Sequence, residues 1–381
     1  MNKIWSIVSV LLSAGMALVS CEKVDEKEEG PLTLNCEASL RLSCEAGQSS
    51  ISFTCKGEWT AFSSHSWLSV SPESGSSNGE RTSVTLSYGD NEGPKSKTAS
   101  VTIISGDQSK TITVTQTTAI VTIPDPAFNA YCLENFDKDY DGELTMEEAG
   151  LVSSIVCVNA GIKSLEGITA FKNLQVLFCS DNLISELDIS LPLLKSMVLS
   201  GNPLTHVTVT GCPSLEKLRF ESKEGGPLQS LTVRSCSSLT EIYCSNNQLT
   251  TLDVSMCPAL ARLECYTNHL TTLDVSDIPS LVSLNCIGNL LSELNVSGCT
   301  HLEELECGKN QLPCLDVSGC TDLKVLRCDK NQLATLDVSH NPLMNTLWCY
   351  DCPNLKEVWL KTGQTIDDFN YNPQITTIKY I

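Results

Sequence analysis

Leu239-Thr240-Glu241-Ile242-Tyr243-Cys244-Ser245-Asn246-Asn247-Gln248-Leu249-Thr250-Thr251-Leu252-Asp253-Val254-Ser255-Met256-Cys257-Pro258-Ala259 runs directly into Leu260, where the same pattern begins again. Copies start at 152, 174, 194, 215, 239, 260, 281, 302, 323, 344 and 355. The steps between them are 22, 20, 21 and 24, then five of 21, then a last step of 11. A fixed short period means one structural unit stacked on copies of itself, each burying its apolar side against its neighbours.

The columns of the repeat have physical roles. Leu263 and Cys265 alternate, so both face inward from one short strand. Stacked turns then build a parallel sheet along a concave side. Asn182, Asn202, Asn247, Asn268, Asn289, Asn310 and Asn331 form a ladder whose amides are placed to satisfy backbone groups where the chain leaves the sheet. Leu252-Asp253-Val254 alternates again and predicts a second extended segment opposite. A period of 21 leaves no room for a long helix there. L-x-x-L-x-C-x-x-N-x-L at this period resembles the leucine-rich repeats, which implies a solenoid over 152–381. Asp367 to Ile381 lacks the Asn ladder and reads as a C-terminal cap.

Most of the 20 cysteines fall in two columns of the array. Cys179, Cys244, Cys265, Cys286, Cys307, Cys328 and Cys349 fill one; Cys212, Cys236, Cys257, Cys299, Cys320 and Cys352 fill the other. Cys repeats here because the turn repeats, and it serves as a small buried hydrophobe. Removing Cys21 leaves 19 thiols, an odd number, so pairing is incomplete. Cys36, Cys44 and Cys55 leave room for one disulfide, its pairing open. In the copy starting at Leu215, Phe220 replaces the Cys, Lys223 replaces the Asn, and three residues are added within Glu221 to Pro227. That bulge reads either as a tolerated insertion or as an interaction site.

The side chain between the inward Leu and Cys projects from the concave sheet. Its column reads Phe178, Val198, Arg219, Tyr243, Glu264, Asn285, Glu306, Arg327, Trp348 and Trp359, with Tyr266 and Tyr350 two strand positions later. Trp348, Tyr350 and Trp359 form the best ligand-binding patch, with Tyr243 and Tyr266 as further candidates, since exposed aromatics anchor interfaces. The other reading packs these rings under the cap with Phe369 and Tyr371. The outward Asp188, Asp253, Asp274, Asp316 and Asp337 are each followed two positions on by a Ser, a spacing that favours local capping over cation binding.

Ahead of the repeats, Asp137-Lys138-Asp139-Tyr140-Asp141-Gly142-Glu143-Leu144-Thr145-Met146-Glu147-Glu148 fits D-x-D-x-D-G-x5-E. Asp137, Asp139 and Asp141 offer hard oxygens at alternate positions, and Gly142 permits the sharp turn. Glu143 supplies a carbonyl, Thr145 ligates directly or through water, and Glu148 closes the sphere as a bidentate carboxylate. Phe128 to Phe136 has helical spacing, and Thr145 to Leu151 starts an outgoing helix. The loop resembles an EF-hand, which implies a Ca2+ site in a helical cap over 119–151. With no second loop in the sequence, a structural role is expected rather than switching.

Residues 31–118 are rich in Ser, Thr and Val. Alternation predicts strands at 49–54, 83–87, 99–104 and 111–115, separated by turn-like sets such as Ser71-Pro72-Glu73-Ser74-Gly75. The spacing predicts an all-β immunoglobulin-like sandwich. Trp59, Ser66-Trp67-Leu68-Ser69-Val70-Ser71-Pro72 and Ile112-Thr113-Val114-Thr115-Gln116 resemble a BACON domain, with Lys97 where that family often has Arg. The resemblance implies carbohydrate or mucin binding. Trp59 and Trp67 are the rings able to stack on a sugar, although large aromatics usually serve the core.

Residues 1–20 read as a secretory leader, with Lys3 before a mostly apolar stretch from Ile4 to Val19. Leu18-Val19-Ser20-Cys21 resembles the bacterial lipobox, which implies acylation of Cys21. The acidic tether at 21–30 resembles the export signal of Bacteroidetes surface lipoproteins, which implies an outer membrane-anchored, surface-exposed protein. The formal net charge of −20 repels phosphate backbones and excludes nucleic acid as a partner. No G-x-S-x-G, H-E-x-x-H or phosphate loop is found, so the reading is non-enzymatic. Together these features point to a cell-surface adhesion lipoprotein recognising a host or dietary glycan, mucin or protein. The alternative is a non-catalytic scaffold subunit of an outer-membrane polysaccharide-uptake assembly.

Overall fold

The computed structural model describes residues 30–223, 225–276 and 278–381. The leader, Cys21 and all but the last residue of the tether lie outside the described residues. The chain divides into two compact units. One takes in residues up to 41, 46–89 and 98–115; the other comprises 42–45, 90–97 and 116–381.

The first unit is a β domain. Its strands are β1 (Thr33–Leu34), β2 (Ser39–Leu42), β3 (Gly47–Ser63), β4 (Leu68–Ser71), β5 (Ser74–Tyr88), β6 (Lys97–Ser105) and β7 (Gln108–Gln116). They form one sheet in the order β2-β7-β6-β3-β5-β4, with β1 on β3. β3 pairs antiparallel with β5 along nearly all its length and, through Trp59 to Ser63, with β6. The sequence places strand only over the first half of β3 and the second half of β5. Ser71-Pro72-Glu73-Ser74-Gly75 reads locally as a turn, yet the cross-strand pairing carries β5 back through Gly75 to Ser74. Trp59 is core, meeting Phe53 edge-on with ring centroids 5.2 Å apart. Its indole lies so close to Gly75 that a Cβ there would sit 2.7 Å from the ring. Trp67 stays half-buried.

The second unit opens with α1 (Pro126–Phe136), two residues earlier than the apolar spacing places it. The reason is a cap: Asp125 Oδ1 accepts the Phe128 N–H at 2.8 Å, with Pro126 in the first turn. α2 (Met146–Gly150) comes next. Phe128 and Cys132 join the apolar core of the repeats. The hydroxyl of Tyr131 donates to the Val156 carbonyl (3.0 Å) and accepts from the Val156 N–H (3.1 Å), closing the exposed edge of strand Ser154–Val156.

The remainder of this unit is a β-solenoid of eleven turns with few helices. Eleven three-residue strands, from Ser154–Val156 to Asp368–Asn370, form one long parallel sheet. In ten of them the middle residue is fully buried, from Ile155 to Leu347; Phe369 in the last is partly exposed. The Cys column behind it is buried as well. Across the turn, the second extended segments pair only in shorter sheets. The Asn ladder is built as its chemistry demands. Asn289 Nδ2 donates to Cys265 O (3.1 Å) and Cys286 O (3.0 Å), while its Oδ1 accepts Leu270 N–H (3.1 Å). Asn268, Asn310 and Asn331 repeat that pattern.

One turn assignment is corrected. The copy starting at Leu355 is not a turn of its own. Glu357–Leu360 lies in a three-stranded sheet between Thr335–Asp337 and Thr377–Tyr380, on the opposite side from the long sheet. The eleventh long-sheet strand is Asp368–Asn370, so the segment read as a cap is one more full turn. Leu355-x-x-Val358-x-Leu360 has the apolar alternation of either half-turn. Gly363 at the ladder position marks it as the second.

Candidate functional site

The exposed face of the long sheet carries the first and third residue of each strand. Register places Phe178, Val198, Arg219, Tyr243, Glu264, Asn285, Glu306, Arg327, Trp348 and Asn370 side by side on successive strands. From Phe178 to Trp348 they are half-buried. Neighbouring strands lie ~4.8 Å apart, so each side chain reaches the next.

The C-terminal half of this column is a connected ladder. Asn285 Nδ2 donates to Glu306 Oε2 at 2.9 Å. The other oxygen of Glu306 pairs with the Arg327 guanidinium. That guanidinium lies 4.5 Å from the Trp348 ring centre, a cation–π contact. Trp348 Nε1 in turn donates to Asp368 Oδ2 at 2.8 Å. Trp348 and Tyr350 sit 6.4 Å apart between ring centres, and Lys330 Nζ stands 5.8 Å from Tyr350. The negative charge of Asp329 beside Tyr350 pushes its phenol pKa up. Phe369 and Tyr371 stack on each other at 4.5 Å and take the inward Leu and Cys places. Trp348 and Tyr350 are therefore sheet-face residues, not buried under a cap.

Trp359 does not belong to this patch. It stands in register with Asp337 and Lys379 on the opposite side of the solenoid. Tyr243 belongs to a second cluster on the long sheet. Arg219 lies 4.4 Å from its ring centre, and its hydroxyl donates to Glu241 at 2.9 Å. Lys217 pairs with Glu241 at 2.7 Å and holds that carboxyl below its usual range. Between the clusters, Glu264 is pushed up by burial, against an opposing contact from Arg262 at 3.3 Å. Tyr266 is half-buried two positions beyond Glu264. Arg327 and Asp368, which orient Trp348, do not stand out as anchors in the sequence. Spacing does carry a signal for Arg327: 327 and 348 differ by one period, so they are lateral neighbours.

The bulged turn after Phe220 keeps the usual backbone bond to the next turn and adds one of its own. Ser222 N–H bonds Ser245 O at 3.2 Å and Gly226 N–H bonds Asn246 O at 2.7 Å. A Cβ on Gly226 would lie 2.3 Å from Asn247 Oδ1, so only glycine fits there. On the opposite side, Asp253, Asp274, Asp316 and Asp337 each accept the N–H of the Ser two positions on, at 2.9–3.0 Å. These carboxylates cap turns.

In the acidic loop, Asp137, Asp139 and Asp141 bring one oxygen each to within 4.8 Å of one another. Asp137 accepts the N–H groups of Tyr140 (2.7 Å) and Gly142 (2.9 Å), which curl the loop around it. Gly142 adopts φ +85°. Glu148 lies in a capping box: its carboxylate accepts the Thr145 N–H and hydroxyl and, on the other oxygen, the Lys138 N–H at 2.9 Å. Glu143 is exposed, and its N–H bonds Asp141 at 2.9 Å. Leu144, buried, returns its carbonyl to the Val121 N–H at 2.7 Å, and Ile120 bridges Thr145, so the preceding segment pairs with the end of the loop. Three hard carboxylates at alternate positions around a glycine turn suit an oxygen-seeking divalent cation.

The family model described as Viral BACON domain matches residues 36–119, the stretch in which the sequence resembles that module. No curated protein matches the chain. Among solved structures it is similar to the functional domain of InlJ from Listeria monocytogenes, which includes a cysteine ladder. Identity is 24%, covering 68% of this chain and 71% of that one, with a TM-score of 0.49. It is also similar to YopM, a leucine-rich effector protein from Yersinia pestis, at 20% identity over 60% of this chain and 72% of that one (TM-score 0.38). A Bacteroides ovatus GH5 xyloglucanase matches at 20% identity over 35% of this chain and 30% of that one (TM-score 0.23).

Proposed function

We propose that the protein is a cell-surface lipoprotein that binds another protein along the exposed face of its long sheet. The observation that carries this reading is the ladder Asn285–Glu306–Arg327–Trp348–Asp368 beside Tyr350. Hot spots are enriched in Trp, Tyr and Arg held in fixed conformations, because little side-chain entropy is then lost on binding. The same column carries two carboxylates, Glu264 and Glu306, and two guanidinium groups, Arg219 and Arg327, which suits a partner carrying both charges. A sugar would need an open ring face, and Arg327 already covers one face of Trp348.

In this reading Cys21 carries the lipid anchor to the outer membrane, and 21–30 is the tether. The first unit is an immunoglobulin-like BACON sandwich, in which half-buried Trp67 is the ring left for a glycan or mucin. Ca2+ is held in an EF-hand-like cap by Asp137, Asp139 and Asp141, with Glu143, Thr145 and Glu148 completing the set, and it stiffens the start of the solenoid.

The test uses residues 22–381 against one panel of mucin glycans, plant glycans and host matrix proteins, in calcium and in chelator. A protein hit that Trp348→Ala weakens at least tenfold, with circular dichroism unchanged, supports the reading. A glycan hit unaffected by Trp348→Ala but lost in Trp67→Ala moves the function to the first unit. No hit at all on the panel removes the adhesion reading.

A further inference from the structure

Cys157 and Cys179 occupy the first two places of the inward sulfur column, on the turns nearest α1. Their Sγ atoms lie 2.7 Å apart. Even carbon atoms settle at ~3.5–4.0 Å when not bonded, and sulfur is larger. A disulfide draws the two sulfurs to ~2.05 Å. The two residues face each other because Val156 and Phe178 are in register just before them, with the Cys157 N–H on the Phe178 carbonyl at 2.8 Å. Adjacent strands ~4.8 Å apart lie within the ~4.4–6.8 Å span between Cα atoms that a disulfide needs. Leu199 and Phe220 come next in the column, so this pair is set apart from the run Cys244 to Cys349. In that run Cys244 Sγ turns to the Glu264 carbonyl at 3.6 Å rather than to a sulfur.

We propose that Cys157 and Cys179 form a disulfide that staples the first two turns of the solenoid. The oxidant is a second disulfide, as in a dithiol oxidase or oxidised glutathione. A thiolate of the pair attacks it, forms a mixed disulfide and releases one reduced thiol. The other cysteine then attacks the protein sulfur, and the oxidant's second sulfur leaves as a thiol. The pair loses two protons and two electrons, and the oxidant takes up the electrons. Both cysteines are buried, at 2% and 0% exposure. The exchange must therefore precede the closing of α1 over these turns. Cys132 of α1 is the third thiol of the pocket. Burial first, and then the nearby Cys157 sulfur, push it up to about 12, so it stays a protonated bystander. The inference rests on the surface reading only for where the oxidant is met; oxidation of purified protein tests the chemistry independently.

The experiment refolds residues 22–381 with oxidised and reduced glutathione, blocks free thiols in denaturant without reduction, and maps the tryptic digest by mass spectrometry. Cleavage at Lys138, Lys163, Lys172 and Lys195 puts Cys157 and Cys179 in separate peptides, 139–163 and 173–195, and Cys132 in 111–138. The expected result is a linked pair of the first two, separated on reduction. Finding both peptides singly blocked, or 139–163 linked to 111–138, overturns it. The rise in thiol count on reduction should also fall by two in Cys157→Ser/Cys179→Ser; an unchanged rise overturns the proposal even if the variant folds poorly.

Discussion

In the N-terminal unit β3 runs for 17 residues and β5 for 15, and they pair from Gly47–Tyr88 to Thr60–Ser74. No strand of the solenoid's long sheet exceeds three residues, yet eleven of them stack into one sheet. The first arrangement depends on contacts that occur once. Trp59 has one Phe53 to meet and one Gly75 to lie on. The second depends on contacts repeated with neighbours one turn away. Damage in the first should spread through its unit; damage in the second should stay near the turn that bears it.

The largest effect expected from this contrast is at Trp59. Trp59→Ala leaves a cavity against Phe53 and should cost the first unit about 3–5 kcal/mol. Calorimetry should show an early transition lost or lowered while the solenoid transition holds. Equal shifts in both would break the comparison, since the units would then unfold as one.

Next comes the ladder. Asn289→Ala strands the Leu270 N–H in a buried strip and removes one of two amide donors from each of Cys265 O and Cys286 O, which keep Asn268 and Asn310. Three hydrogen bonds at about 0.5–1.5 kcal/mol each give at most roughly 1.5–4.5 kcal/mol, the lower end being expected because both carbonyls keep a donor. Hydrogen exchange should rise in the turns at 260–310 and stay protected near 155 and 347. Uniform loss of protection would show that the solenoid is one cooperative block rather than a chain of neighbours.

The same contrast explains what could be read from sequence. A repeated turn prints its structure many times over, so the Leu, Cys and Asn columns and the face carrying Trp348 follow from spacing alone. The exceptions are where the repeat stops printing. At 355–360 one apolar alternation fits either half-turn, and Trp359 goes to the wrong side. In the first unit each strand is seen once. Ser71-Pro72-Glu73-Ser74-Gly75 has turn chemistry locally, and Ser74 and Gly75 become strand only because β3 supplies their hydrogen bonds. The candidate site was half legible: Trp348 and Tyr350 by column, Asp137, Asp139 and Asp141 by motif. That Arg327 covers Trp348 and Asp368 anchors it requires the packing of three successive turns.

Acid sharpens the comparison by a smaller amount, because the solenoid repeats its Asp–Ser caps. The Ser255 and Ser318 hydroxyls, more than their amides, hold Asp253 and Asp316 below the usual carboxylate range; for Asp274 the Ser276 amide is the larger cause. A folded pKa below the unfolded ~3.9 adds stability that is fully present above that value and is lost as pH falls through the folded one. The solenoid transition should therefore fall on acidification below about pH 4. The combined Asp253→Asn, Asp274→Asn and Asp316→Asn variant should lose part of that limb, the remainder belonging to carboxylates such as Glu241 that are also held low. An unchanged acid limb in the variant would mean that these caps do not govern it.

The smallest effect concerns the residue just before each ladder Asn. That place is left-handed at Asn246 (φ +56°), Thr267 (+54°), Lys309 (+54°) and Lys330 (+57°), and glycine fills it at Gly288 (+67°). The turn out of the sheet imposes the conformation, since Asn159 (φ +53°) and Asp351 (+54°) adopt it before Ala160 and Cys352, which carry no ladder amide. A β-branched side chain is the least suited to it, whereas Asn tolerates it well. Thr267→Asn should therefore stabilise the solenoid by about 1 kcal/mol or less, while Lys330→Asn should change it by less still. The order matters more than the size. If Thr267→Asn destabilises, the threonine is making a contact of its own, and the turns are less alike than their period implies. If it stabilises, the local strain is a by-product of the repeat, imposed where the chain turns out of the sheet and tolerated because the packing on both sides over-determines it.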